Sequence, residues 1–169
     1  MIKPAIQEAL NNQINAEYYS AFLYLSMSAW AEREGLPGMA NWFKIQFQEE
    51  QFHADRFFGY LLERGGHVTL TAIEGPPSSW SSPLEAFEAT LVHERHVTSL
   101  IDALASLAMD ERDHATLAFL QWFITEQVEE EAAADAIVAQ LKLVGDSGHG
   151  RLMLDREMAA RVFTPPVVP

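Results

Sequence analysis

Apolar side chains recur at steps of three and four residues through the first 64 residues of the chain, which is the spacing of one face of an α-helix. The first stretch, about 4–34, opens with Pro4, a residue suited to an early helical position. Its apolar positions are Ile6, Leu10, Ile14, Tyr18, Phe22, Leu25 and Ala29. The second stretch, about 37–64, carries Met39, Trp42, Phe43, Phe47, Phe57, Phe58, Leu61 and Leu62. Gly65 could cap it, so the pattern predicts two long helices.

Two more long helices and one short helix are predicted further on, at about 82–109, 113–144 and 150–162. In the run that opens at Ser82, serine suits the N-cap, Pro83 the first helical position and Glu85 the third position of a capping box. The short helix has an apolar face of Leu152, Met153, Met158, Ala159 and Val162. Four helices leave this face no place in their core, and we expect it to lie between subunits.

The connections between the helices predict how they are arranged. Short turns join the first helix to the second and the third to the fourth, which indicates two antiparallel hairpins. The connection 66–81 is long, and its sixteen residues could reach about 50 Å when extended. Because a 28-residue helix is roughly 42 Å long, this crossover can make the second and third helices parallel. We predict an all-α single domain over 1–169, with a four-helix bundle over about 4–144 and a tail over 163–169.

Composition narrows the classes of partner and of site. Of the 169 residues, 49% are hydrophobic, too many for a disordered chain. The formal net charge of −13 makes nucleic acid and anionic membranes poor partners. The absence of cysteine excludes disulfides and thiolate metal sites. The N-terminus lacks the apolar core of a signal peptide and no stretch approaches the roughly 20 apolar residues of a membrane span, so we expect a cytoplasmic protein.

Polar side chains interrupt the apolar stripes near the middle of each long helix. They are Glu17 and Tyr24 on the first helix, Glu50 and His53 on the second, Glu94 on the third, and Gln127 and Glu130 on the fourth. Each taken alone is typical of a solvated helix flank. Together they would place four carboxylates at one height in the bundle, where burial without compensation is costly. Protonation or bound cations would compensate them, and glutamate with imidazole suits iron or manganese.

The remaining histidines receive no role. His93 and His96 flank Glu94 and are expected at the surface, while His67 and His149 are expected in loops.

The blocks around these polar residues resemble the ferritin family, and specifically the bacterial non-haem ferritins. They are Glu17 to Tyr24, Gln48 to His53, His93-Glu94, Phe119 to Phe123 and Glu126 to Glu131. The resemblance covers nearly the whole chain, and the spacing of the set is more specific than any single block. It implies a ferritin-like bundle with a fifth helix that packs around the fourfold axes of a 24-subunit shell, and an iron-storage function with ferroxidase activity towards Fe(II), using O2 or H2O2.

The resemblance also implies a role for each site residue. Glu17 and His53 would hold one iron, Glu94 and Glu130 the other, and Glu50 would bridge them. Gln127 would be a polar neighbour, and Tyr24 would hydrogen-bond near the site and could supply an electron, as could Trp122. Glu49, Glu126 and Glu129 match a third iron position that shares Glu130, with an acidic inner surface lacking an ordered site as the alternative.

Departures from the motifs of related families argue against other members of the superfamily. Bacterioferritins repeat Glu-x-x-His on the fourth helix, where this chain has Gln127-x-x-Glu130, and they bind haem through a methionine at the position of Gln51. We therefore expect no haem. The run 116–121 lacks the carboxylates that line the threefold pores of animal ferritins, which leaves the iron entry route open.

Two other classes of function stay open from the sequence. One is a carboxylate-bridged di-iron oxidase or oxygenase that acts on an organic substrate. The other is a non-catalytic shell subunit whose site is idle or filled by zinc.

Overall fold

A computed structural model describes residues 2–166 and contains five helices in that range. They are α1 (Pro4–Arg33), α2 (Pro37–Glu63), α3 (Pro83–Asp110), α4 (His114–Val144) and α5 (Gly148–Met158). The described residues form no strand, so the predicted all-α fold, a four-helix bundle with a short C-terminal helix, is confirmed. The tail was predicted to run to residue 169, and 167–169 lie outside the described residues. None of the described helices combines the length and apolar character needed to cross a membrane.

Side chains cap the helices that the sequence marks. The hydroxyl of Ser82 accepts a hydrogen bond of 3.1 Å from the backbone N–H of Glu85. The Glu85 carboxylate accepts in return from the N–H of Ser81, one residue before the position that a capping box uses. At the start of α4, Asp113 accepts from the N–H of Thr116 at 3.1 Å. These bonds satisfy N–H groups that the first turn of a helix leaves without partners.

The crossover between α2 and α3 runs along the outside of α1. The side chain of Asn11, near the start of α1, donates to the carbonyl of His67 at 3.0 Å. The hydroxyl of Ser26, near the end of α1, donates to the carbonyl of Pro77 at 2.6 Å. The crossover therefore travels the length of the bundle, and α3 starts at the far end and runs parallel to α2, as predicted.

Two apolar clusters fill the bundle, one towards each end. The first is built around Tyr24, Phe43 and Phe87, and the second around Ile14, Phe57, Ile101 and Phe123. Between them, buried polar side chains from all four long helices form a layer. This layer contains the candidate functional site.

The apolar stripe predicted for α1 is wrong in its second half. Phe22 is 44% exposed and Leu25 is 37% exposed. Each four-residue step overshoots a 3.6-residue turn by about 40°, so a stripe made mainly of such steps rotates away from the core. The buried face continues instead through Glu17, Ala21 and Tyr24.

The prediction that the apolar face of the fifth helix has no place in the core is wrong for Met158. Met158 is 5% exposed and packs with Leu154 in the first cluster, and Asp155 accepts a hydrogen bond of 2.9 Å from the N–H of Met39. The helix therefore docks against the first turn of α2. Leu152 and Met153 remain 47% and 56% exposed.

Candidate metal centre

Three side chains from α1 and α2 converge in the middle of the bundle. Glu17, Glu50 and His53 each offer one ligand atom, and these atoms lie within 4.8 Å of one another. The three residues are at most 2% exposed. Within residues 2–166, no other group of three or more carboxylate or imidazole side chains meets that distance. The Glu-x-x-His spacing on α2 puts Glu50 and His53 one turn apart on the inner face, and His53 Nδ1 lies 3.3 Å from Glu50 Oε2.

Glu94 on α3 and Glu130 on α4 complete the ring of carboxylates. Glu94 is 1% exposed and Glu130 is 7% exposed. Burial raises the pKa of Glu50 well above its ordinary value, and the charges of Glu94, Glu17 and Glu130 raise it further. Glu50 thus interacts electrostatically with all three other carboxylates, and its bridging position stays a prediction.

Two buried glutamines that the sequence reasoning missed bind carboxylates of the ring. Gln13 Nε2 donates to Glu17 Oε1 at 2.8 Å, and Gln46 Nε2 donates to Glu130 Oε2 at 2.8 Å. A signal was present, because Gln13 and Gln46 each precede a site glutamate by four residues and so share its helix face. Gln127, which was predicted as a polar neighbour, donates to Glu94 Oε2 at 3.2 Å.

Burial sets the protonation of these groups in the absence of metal. It raises the pKa of Glu17 to about 7, of Glu94 to about 8 and of Glu130 to about 7. Burial, with the nearby charge of Arg56, lowers the pKa of His53 to about 3. The imidazole is therefore neutral at neutral pH, the form in which a ring nitrogen binds a metal, whereas each carboxylate must lose its proton to do so.

Buried polar atoms in this layer lack hydrogen-bond partners. They include Glu17 Oε2 and His53 Nε2. Such atoms are rare in protein interiors because an unsatisfied buried group is destabilising by about 1–3 kcal/mol. Together with four carboxylates, these open acceptors fit divalent cations with a preference for oxygen and nitrogen ligands.

Tyr24 and Trp122, the two candidate electron donors, have different surroundings. The fully buried hydroxyl of Tyr24 donates a hydrogen bond to Glu94 Oε1. The centroid of the Trp122 ring lies 5.4 Å from that of the His53 ring. The guanidinium carbon of Arg56 lies 4.2 Å from the centroid of the Trp122 ring. A cation over an indole disfavours the removal of an electron from it. Of the two, Tyr24 has the direct hydrogen bond to a site carboxylate, and its role as an electron donor stays a prediction.

The residues of the predicted third iron position are less closely gathered. Glu49 and Glu126 are partly buried and Glu129 is exposed. Glu49 forms an ion pair with Arg161, whose Nη2 lies 2.7 Å from Glu49 Oε2. Sequence reasoning gave no role to Arg161, which follows the last helix and is far from Glu49 in the chain.

His93 is partly buried, whereas it was predicted at the surface. Its Nε2 lies 2.8 Å from the hydroxyl oxygen of Ser20, and its ring packs against Tyr19 and Tyr24. Burial, followed by the charge of His96, lowers its pKa to about 4. His93 precedes Glu94 by one residue, so the helix that buries Glu94 also partly buries His93 against α1. His96 is exposed, as expected.

A bundle of four long helices with a buried layer of carboxylates and one histidine defines a ferritin-like protein. The family described as ferritin-like domain matches residues 7–144, so the chain belongs to the ferritin family.

Curated relatives are similar over most of their length. A bacterial non-heme ferritin of Bacteroides fragilis (strain 638R) is 49% identical over 148 residues, which are 88% of this chain and 93% of that protein. A bacterial non-heme ferritin of Staphylococcus aureus (strain USA300) is 37% identical over 163 residues, 96% of this chain and 98% of that protein.

Solved structures share the fold as well as the sequence. A closed form of the Archaeoglobus fulgidus ferritin, engineered by site-directed mutagenesis, is 51% identical and superposes with a TM-score of 0.96. The superposition includes 97% of this chain and 100% of the archaeal chain. The open-pore ferritin of the same archaeon is also 51% identical, with a TM-score of 0.95 over 96% of this chain and 100% of that one.

Proposed function

We propose that this protein is a ferritin subunit that stores iron and oxidises Fe(II) to Fe(III) at an intrasubunit di-iron site. The observation that carries the proposal is the buried set of Glu17, Glu50 and His53, with Glu94 and Glu130 beside it. Membership of the ferritin family supports the storage function. Iron is the substrate and cargo of this site.

The ligand assignment is the one that the family resemblance implies. Glu17 and His53 hold one iron, Glu94 and Glu130 hold the other, and Glu50 lies between them as the bridge. The shared closeness of Glu50 to the other three carboxylates supports this assignment.

The protein contributes charge, orientation and proton transfer to the reaction. Fe(II) binding displaces the protons that burial keeps on the carboxylates, so the bound ions replace those protons as the compensation for buried charge. Two Fe(II) ions each give up one electron, and dioxygen takes both electrons with two protons to become hydrogen peroxide. With hydrogen peroxide as the oxidant, two electrons and two protons yield two water molecules. Carboxylate ligands favour the Fe(III) product because it is the harder ion.

Gln13, Gln46 and Gln127 orient the ligands. Gln13 and Gln46 each donate to one oxygen of Glu17 and Glu130, which leaves the other oxygen of each carboxylate for a metal, whereas Gln127 donates to Oε2 of Glu94. Tyr24 orients Glu94 in the same way and can supply a further electron, with Glu94 next to the phenolic proton.

Self-association into a shell of 24 subunits is part of the proposal. Large apolar side chains remain exposed on the single chain, among them Phe22 on α1 and Met153 on α5. Contacts between subunits would cover such side chains. Product iron would collect inside the shell as a ferric mineral, and we expect the shell to be cytoplasmic.

Aerobic addition of Fe(II) to the metal-free protein tests this function. Oxidation is monitored through the absorbance of the Fe(III) product. We expect it to be fast in the wild type and in the control Glu63→Ala, which changes an exposed position of α2, the helix that carries Glu50. Glu50→Ala should lose most of the fast phase. If wild type and Glu50→Ala oxidise iron only at the rate of buffer, the ferroxidase function is excluded and a non-catalytic shell subunit remains. A monomer in size-exclusion chromatography would favour an oxidase without a storage role.

A further inference from the structure

Arg161, three residues after the end of α5, reaches back to α2. Its Nη2 donates to Glu49 Oε2 at 2.7 Å, and its Nη1 donates to the carbonyl of Trp42 at 3.5 Å. The guanidinium also lies 4.9 Å from the centroid of the Trp42 ring. The side chains of Arg161 and Glu49 are 29% and 18% exposed, so the ion pair is mostly withdrawn from solvent.

The backbone of the same segment is held by α2. The side chain of Asn41 donates to the carbonyl of Met158 at 3.2 Å and to that of Arg161 at 3.0 Å. These bonds fix the main chain before and at Arg161, so the guanidinium does not depend on its long side chain alone for its position. Formation of the Arg161–Glu49 ion pair therefore costs less conformational entropy than formation of an ordinary surface ion pair.

The charge around Glu49 is otherwise negative. Burial raises the pKa of Glu49, Arg161 lowers it, and the charge of Glu126 raises it again. Burial raises the pKa of Glu130, and the charge of Glu49 raises it further. The charge of Arg161 lowers it, as it lowers the pKa of Glu49. Arg161 is thus the counter-ion of Glu49, and its charge also acts on Glu130.

We propose that Arg161 acts as a built-in cation at Glu49, so that a third divalent ion binds beside the di-iron site only when the guanidinium leaves. The proposal rests on the proposed function in taking the neighbouring carboxylates as a two-ion site. One carboxylate oxygen of Glu49 already accepts a short charge-assisted hydrogen bond. A metal ligand at the same oxygen would have to displace it.

Zinc binding tests this proposal without any oxidation step. The number of Zn(II) ions bound tightly per subunit is measured on the assembled, metal-free protein by calorimetry and by metal analysis after dialysis. We expect two ions in the wild type and three in Arg161→Gln. Arg161→Lys keeps the positive charge and should stay at two. Arg156→Gln, which removes an exposed arginine of α5, is the matched control and should also stay at two.

Removal of the carboxylate identifies the place of the third ion. The double variant Arg161→Gln with Glu49→Gln should return to two ions. If Arg161→Gln gains no ion, the proposal is overturned, whatever the count in the wild type. A wild-type count of zero would overturn the proposed di-iron function instead.

Glu49→Gln alone keeps the test decisive even if Arg161→Gln fails to assemble. We expect it to bind two ions, as the wild type does. A wild-type count of three that falls to two in Glu49→Gln would show that Glu49 already binds metal, and would overturn the proposal.

Discussion

Gln46 on α2 donates a 2.8 Å hydrogen bond to Glu130 Oε2 on α4, and so joins the two hairpins of the bundle inside the carboxylate layer. Gln46 is completely buried. The bond orients Glu130 and satisfies one of its oxygens before any metal binds. A ligand held in this way loses less freedom on coordination, which is the usual effect of hydrogen bonds behind a metal ligand.

Gln46→Leu should therefore weaken metal binding while the fold is kept. Leucine is similar in size but cannot donate, so we expect Zn(II) affinity to fall by about 10-fold or more. Gln48→Leu, at an exposed position of the same helix, is the control. Calorimetric titration measures both, and equal affinities for the two variants would contradict an orienting role for Gln46.

Tyr24→Phe should slow the oxidation of Fe(II) and leave the bundle intact. The ring stacks on Phe43 and is retained in phenylalanine, whereas the hydroxyl that donates to Glu94 is lost. We expect a rate several-fold lower in stopped-flow measurements, since both the orientation of Glu94 and the extra electron are removed.

Tyr18→Phe controls for the loss of a tyrosine hydroxyl. Tyr18 lies on the same helix, and its hydroxyl donates to the exposed Asp55 at 3.2 Å. An unchanged rate in Tyr24→Phe, or an equal slowing in Tyr18→Phe, would exclude a specific role for Tyr24.

The sequence could predict the helices and the grouping of Glu17, Glu50 and His53, because helix ends and shared helix faces depend on local spacing. Breakers and caps such as Ser82 and Asp113 set the helix ends, and the pair Glu50 and His53 shares a face through its i, i+3 spacing. The features that the sequence could not predict depend on contacts between segments that are distant in the chain. The pairing of Arg161 with Glu49 joins residues 112 positions apart.

The partial burial of His93 and the burial of Met158 were missed for a similar reason. The sequence shows which helix face is apolar, but not which neighbour covers a residue at the edge of that face. His93 is covered by α1, through Ser20 and Tyr19, and Met158 by the end of the bundle.

The metal-free protein should become less stable as the pH rises from about 6.5 to about 8. The pKa of Glu94 is raised to about 8, and those of Glu17 and Glu130 to about 7, so the folded state holds protons that the unfolded state has released. Stability from such groups is complete below their unfolded pKa and is lost as the pH passes through the folded pKa. His53 and His93 have lowered pKa values and affect stability only at lower pH.

Thermal unfolding of the chelator-treated protein at several pH values measures this effect. Glu94→Gln, which cannot ionise, should show a shallower fall of the melting temperature than the wild type, and Zn(II) should restore the stability lost at pH 8. A melting temperature that is constant or rises across this range would mean that the carboxylates are solvated.

Asp113→Ala should destabilise the bundle at the turn between α3 and α4. Asp113 caps α4 through the N–H of Thr116 at 3.1 Å and accepts from both terminal nitrogens of Arg64, at 3.1 and 3.0 Å. Loss of the cap and of a partly buried ion pair should amount to about 2 kcal/mol. For a chain of this size the melting temperature would then fall by about 4–8 °C. Asp102→Ala, at an exposed position of α3, should stay near the wild-type value, and an equal change in both variants would exclude the proposed role of Asp113.

Gly38→Ala should detach α5 from the bundle. A Cβ at Gly38 would lie 1.6 Å from the backbone oxygen of Asp155, far inside contact distance, so α5 must move away. The hydrogen bond from the N–H of Met39 to Asp155 would be lost with it. Hydrogen exchange should then become faster in 148–158 and remain unchanged in the buried parts of α1 to α4.

Gly59→Ala is the matched control within α2, because no atom lies within 4 Å of a Cβ at that position. Alanine in place of a helical glycine should there stabilise the protein by up to about 1 kcal/mol. The pair also tests the predicted place of α5 between subunits. If Gly38→Ala frees α5 and the shell elutes at a smaller size or dissociates on dilution, while Gly59→Ala does neither, α5 contributes to assembly. A shell of unchanged size and stability with α5 free would restrict that helix to covering the end of its own bundle.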